Sequence, residues 1–312
     1  MRGKIIIGLT TLSITLIIPS VESKPVILTP DDDIQQIINS SPCGSIILLS
    51  NGIYNQSIVI RKPISIYGMG YTVFNVSTGR NQPAITISAD NVSIYNLSIT
   101  NHADGLYTTG ICITGSNVLI ENCFVQDTPI AISIWSSYNT IRNCYFQNCK
   151  DEGIALIGSS RFSCNYNIIE NCTFIDNCDA IELQYASNNR IIKCYMLNNT
   201  HAAIDAIAKH NNNNIIEDCI IANNSAYGIY LSNSHNNTIT KCKLYENKDG
   251  DIIQTKGSSR NTINITSPTK ELKYQKPLFH KPYDKHLPKQ SNPILSSLYN
   301  YIKVILSIAR FY

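Results

Sequence analysis

One short pattern constrains this chain more than any other. It reads Asn139-Thr140-Ile141-Arg142-Asn143-Cys144, and it returns at 167–172, 189–194, 214–219 and 237–242. Degenerate copies precede it, with Cys123 and Leu97 in the last slot, and a partial copy opens at Asn261. From Cys123 to Cys242 the steps between ladder cysteines are 21, 28, 22, 25 and 23 residues. A unit that short cannot enclose a core. Repeated with variable insertions, it must bury its apolar face against its own neighbours, which predicts a solenoid.

The content of the unit says which solenoid. Each copy holds an Ile-x-x-Cys-x-Phe-like run and, further on, an Ile-x-Leu/Ile run such as Ile111–Ile113, Ile132–Ile134, Ile154–Leu156, Ile181–Leu183 and Ile229–Leu231. Apolar residues two apart, in runs too short for helices, read as strands. Asn, Gly and Ser punctuate them, and the Asn that opens each copy is expected at a bend, where its side chain tolerates left-handed backbone. The expected fold is all-β: a parallel β-helix over residues 24–266, with coils about 4.8 Å apart and like side chains stacked in ladders. Residues 31–41, with Asp31, Asp32 or Asp33 as N-cap and Ile34, Ile37 and Ile38 on one stripe, predict a short helix capping the first coil.

These repeats resemble the right-handed parallel β-helix repeat proteins, in particular the NosD-like and carbohydrate-binding/sugar-hydrolase group. The run Asn51-Gly52-Ile53-Tyr54 through Ile58–Ile60 and Ile64–Gly68 is similar to the first coils of that group. The resemblance implies the fold over roughly residues 30–266. Its NosD-like side implies copper handling in the cell envelope, and its other side implies carbohydrate binding or cleavage; many functions share the fold.

Residues 1–23 read as a secretory signal, with Arg2 and Lys4 before an apolar run. Ten Asn-x-Ser/Thr sequons, Asn55, Asn171 and Asn236 among them, fit an exported glycoprotein. After residue 266 the pattern breaks. Residues 267–293 form a Pro/Lys-rich linker, and 294–312 form an amphipathic helix that is expected to cap the last coil or lie on a membrane surface. The tail from residue 270 carries a net +6 and the rest a net −3. A mildly acidic solenoid argues against a nucleic-acid groove.

Six of the eleven cysteines, Cys123, Cys144, Cys172, Cys194, Cys219 and Cys242, hold one slot and are expected to face inward as small apolar filling. Cys149 and Cys178 follow at the next bend in consecutive coils, and His201 lies near that bend one coil later. Two thiols and an imidazole on one edge form a candidate soft-metal site of the Cu(I) type; a Cys149–Cys178 disulfide, or plain turn residues, is the bland alternative.

Outward positions of the Ile-x-Leu strands give the remaining candidates. Cys112, Ser133, Ala155, Glu182, Asp205 and Tyr230 form one outward column. Thr114, Trp135, Ile157, Gln184, Ile207 and Ser232 lie two residues further on. Glu182 and Asp205 fall on neighbouring coils, as a paired-carboxylate glycosidase site would require. Trp135, Gln184 and Tyr230 flank them as a sugar-binding surface. The polygalacturonase motifs are absent. Three functions follow: a non-catalytic, glycan-binding surface protein as the first expectation, a NosD-like copper-handling protein, and a polysaccharide hydrolase, lyase or epimerase.

Overall fold

The structure, a computed structural model, describes residues 24–265 with Lys256 excepted. The leader, the linker and the C-terminal helix expected from the sequence lie outside these residues. The described chain winds into a parallel β-helix of three sheets. The first sheet runs from Val26–Leu28 to Thr262–Asn264, the second from Gly52–Tyr54 to Lys243–Tyr245, and the third from Ile58–Ile60 to Gly250–Gln254. Every strand pairing is parallel, and each strand pairs with its equivalent one coil away. Among the described residues no helix is long and apolar enough to cross a membrane.

The repeat now has a physical reading. Ile120, Ile141, Ile169, Ile191, Ile216 and Ile239 are register partners in the first sheet and are fully buried. The next residue faces out. The one after it takes left-handed backbone: Asn122, Asn143, Asn171, Lys193, Asp218 and Lys241, all with φ between 51° and 55°. That residue turns the corner into the second sheet. The cysteine then points inward, and its thiol donates to the carbonyl two residues back, as in Cys144 Sγ to Arg142 O at 3.2 Å. A thiol suits the corner because it fills apolar space and adds a weak second donor to a carbonyl that already accepts from the previous coil, as Arg142 O does from Asn122 N–H at 3.2 Å.

The Asn that opens each repeat differs from the sequence expectation. Asn139, Asn167, Asn189, Asn214 and Asn237 are buried, and none is left-handed. The residue before each of them takes that conformation instead: Tyr138, Tyr166, Asn188, Asn213 and Asn236. The Asn side chains form an internal ladder. Each backbone N–H in the series donates to the next coil's Asn Oδ1 at 2.8–2.9 Å, from Val118 to Asn139 and on to Asn261. From Asn167 onward the side-chain amides also donate back to a carbonyl of an earlier coil. These contacts join residues far apart in sequence, so bend chemistry alone could not reveal them.

The helix Ile34–Ser40 precedes the first full coil. Asp33 caps it by accepting from Gln36 N–H at 2.9 Å, and Ile34 and Ile38 join the core. Its N-terminus is tied to the coil by Ile34 N–H on Gln56 Oε1.

Candidate active site on the third sheet

The third sheet breaks strict alternation, and this creates the site. A small residue directly precedes the inward Ile near the start of its strands: Gly110, Ala131, Gly153, Ala180, Ala203 and Gly228 in successive coils. Ala180 and Ile181 both pack in the core. A Cβ on Gly153 would lie 2.6 Å from the ring of core Phe174. Two consecutive inward residues return the preceding residue to the outer face. Glu152 and Asp179, register partners, therefore share that face with Glu182 three residues further on. Glu182 in turn pairs with Asp205, and Asp205 with Tyr230.

Five carboxyls gather here: Asp151, Glu152, Asp179, Glu182 and Asp205. Asp205 is 5% exposed and Glu152 and Asp179 6% each, whereas Glu182 is half-buried. Asp179 Oδ1 accepts from Ala202 N–H at 2.7 Å and lies 2.9 Å from His201 Nδ1. His201 Nδ1 also lies 3.8 Å from Asp205 Oδ2. Asp205 Oδ1 and Glu152 Oε2 are buried with no hydrogen-bond partner. Among the described residues no lysine or arginine ion-pairs with any of the five.

Burial without counter-charge disfavours ionisation. Burial first, then the charges of Asp151 and Glu182, pushes Glu152 up to about 9. Burial and Asp179 push Asp205 up to about 7, against the pull of His201. Asp151, Asp179 and Glu182 are raised too, each chiefly by burial.

Aromatic residues border the cluster. Upstream, Trp135 lies 6.2 Å from Phe162 between ring centres and lines a hollow with Tyr107, Cys112, Ser133 and Ile157. Gln184 is the register partner of Ile157, and its side chain is half-buried. Downstream, Tyr227 and Tyr230 stack at 5.2 Å, and His201 meets the Tyr227 ring edge-on at 6.4 Å.

The residues expected from the sequence thus divide. Glu182, Asp205, Tyr230 and Gln184 lie on the strands of this sheet and Trp135 directly follows one, although Asp205 is buried where Glu182 is not. The set Cys149, Cys178 and His201 is not brought together. Cys149 is buried and takes a position equivalent to Asn177, Asn199, Asn224 and Asn247 in a second internal ladder, where its N–H donates to Asn177 Oδ1 at 3.0 Å. Burial pushes its thiol well up, and burial followed by the charge of Asp179 pushes Cys178 up to about 11. No disulfide joins them, and all eleven cysteines are free. His201 turns outward to the carboxylates.

The family described as the right-handed beta helix region matches over residues 38–178 and 109–266. This chain belongs to the right-handed β-helix family. No curated protein matches it by sequence. Solved right-handed β-helix structures do resemble it. The enzymatically active domain of tailspike protein 2 from bacteriophage CBA120 has TM-score 0.60 and 14% identity, with 79% of this chain and 43% of that one covered. The chain therefore spans under half of the tailspike domain. Pectate lyase Pel9A has TM-score 0.60 and 15% identity, with coverages of 81% and 80%. The A-module of mannuronan C-5 epimerase AlgE6 from Azotobacter vinelandii has TM-score 0.56 and 14% identity, with coverages of 75% and 82%. At such identities the likeness is one of fold.

Proposed function

We propose that this protein binds a polysaccharide across the outer face of the third sheet and cleaves or rearranges it there by proton transfer, with Glu182 as the carboxyl that meets the substrate. One observation carries the reading: a half-exposed carboxyl sits on a bed of buried carboxyls whose proton affinity is raised, between two aromatic groups. A carboxyl that holds its proton nearer neutral pH serves as a general acid, and a neighbour that has lost its own serves as a base. Stacked Tyr227 and Tyr230 on one side and Trp135 with Phe162 on the other offer apolar faces to sugar rings.

The cluster extends the binding role expected from the sequence to catalysis, and it favours the carbohydrate side of the resemblance over the copper side. The likeness in fold to a pectate lyase and a mannuronan epimerase supports this reading. An extracytoplasmic location is part of the proposal, because such polymers lie outside the cell. It rests on the signal-like residues 1–23 and is checked by fractionating cells that express the full chain.

The function test is a glycan array on the full-length protein, followed by product analysis on every polymer bound. Binding with turnover that is lost in Glu182→Gln supports the proposal. Turnover unchanged in that variant, or no binding to any polymer, removes it.

A further inference from the structure

We propose that Asp179, His201 and Asp205 form a binding site for a divalent transition-metal ion of the Zn2+ or Mn2+ type. One ligand atom from each of the three residues lies within 4.8 Å of the other two. His201 Nδ1 stands 2.9 Å from Asp179 Oδ1 and 3.8 Å from Asp205 Oδ2. Two ligands at right angles on an ion, each at about 2.1 Å, stand roughly 3 Å apart. The closer pair already has this separation, and the third ligand needs only a small side-chain movement.

Acidic residues alone would not make a site. The second observation is Asp205 itself: it is 5% exposed, and its Oδ1 has no hydrogen-bond partner. A buried carboxylate oxygen without a donor costs free energy that an ion would recover. The scaffold is rigid, since Asp179 lies at the start of one strand and Asp205 in the neighbouring strand of the same sheet. Ala202 N–H donates to Asp179 Oδ1, the oxygen nearest His201, and so holds that carboxylate in place. Among the described residues no lysine or arginine bridges these carboxylates to take the ion's place.

The donor set selects the class of ion. Calcium takes six to eight oxygen ligands, whereas an imidazole nitrogen with two carboxylates suits zinc, manganese and their neighbours. Copper(I) prefers sulfur, and the group of ligand atoms contains no thiol. Two carboxylates balance the +2 charge of the ion. Three protein ligands leave coordination positions open, facing the same outer surface as Glu182, where a water molecule or a sugar oxygen can bind.

The test titrates the chelator-stripped, full-length protein with Zn2+, Mn2+ and Ca2+ by calorimetry and follows its melting temperature, with no glycan present. The expected result is one ion per chain for Zn2+ or Mn2+, bound at least about tenfold more tightly than Ca2+, with a rise in melting temperature. Asp205→Asn and His201→Gln should each weaken binding at least about tenfold, while Asp31→Asn at the exposed N-terminal end leaves it unchanged. If Asp205→Asn does not fold, the half-exposed His201→Gln decides alone. Absence of binding at about 1 mM ion, binding that survives His201→Gln, or a preference for Ca2+ overturns the proposal. Because no sugar is present, the ion site and the glycan reading stand or fall separately.

Discussion

The outer faces of the first and third sheets carry charge in opposite ways. On the first sheet, Glu121, Arg142 and Glu170 are register partners of alternating sign. Arg142 reaches Glu121 at 2.8 Å, and Lys241 reaches Glu217 at the same distance four coils further along. On the third sheet, Glu152 faces Asp179 and Glu182 faces Asp205, always with the same sign. Strand spacing and backbone are shared, so only the side chains differ. A ladder of alternating sign satisfies itself and contributes little when exposed. A ladder of one sign, sunk into the surface, keeps a demand for a proton, an ion or a ligand from outside. The comparison teaches that a solenoid's register gathers a sequence column onto one face, and the sign and burial of its side chains then make it either a brace or a site.

The strongest way to break the contrast is to remove one carboxyl charge from each face. Glu182→Gln should reduce turnover of a bound polysaccharide by roughly a hundredfold or more while the circular dichroism spectrum stays unchanged. Glu121→Gln on the first sheet should leave turnover alone. Equal effects on activity from the two would erase the distinction drawn between the faces.

Next in size is a pH effect confined to the third sheet. Glu152 titrates at about 9 in the fold, against about 4.5 in the unfolded chain, so the fold favours the protonated form. Its contribution to stability is complete below the unfolded value and is lost as pH rises toward 9. Glu152→Gln, which cannot ionise, should therefore melt higher than wild type at pH 9, by roughly 3 °C or more, with the gain shrinking to near zero at pH 5. Parallel melting curves for the two proteins across this range, measured in chelator, would show that Glu152 carries its charge without penalty.

Smaller still is the loss of a brace. Arg142→Gln removes the ion pair and leaves Glu121 only its hydrogen bond from Asn143; with the arginine partly exposed, it should cost no more than about 1 kcal/mol, less in high salt. A loss of several kcal/mol in urea unfolding would mean that the first face, too, depends on its charges. The core supplies a reference between faces: Cys194→Ala removes one buried thiol from its ladder and should cost about 1–2 kcal/mol, whatever the salt.

How much of this was legible in the sequence follows from which contacts are periodic. Ile141 and Cys144 announce their own environment because each recurs in every coil, and the Ile181–Leu183 spacing was enough to pair Glu182 with Asp205. Glu152 and Asp179 stayed hidden because period-two counting assigns the residue two before an inward Ile to the core. The row of glycines and alanines before those isoleucines was the available signal: where a small residue can tuck in beside the Ile, its predecessor is turned out. Cys149 misled for the reverse reason. Its neighbour in sequence terms was Cys178, but its structural equivalent is Asn177, a likeness of position and not of residue type. His201 is grouped with Cys149 and Cys178 when the sequence is read, whereas the side chains beside it are Asp179 and Asp205, which stand on two neighbouring strands that only the register brings to its ring.

The asparagine ladder has a consequence for how such a protein can change length. Each rung receives its amide contact from one side and offers the same contact to the other, with identical polarity from Asn139 to Asn261. The ladder is thus a one-way coupling whose ends match. A whole coil cut out or copied in leaves every remaining joint of the same kind, whereas half a coil would leave a donor facing a donor. The heritable unit of growth is then the complete turn, and a groove on one flank can be lengthened by one sugar-sized step without redesigning the interior.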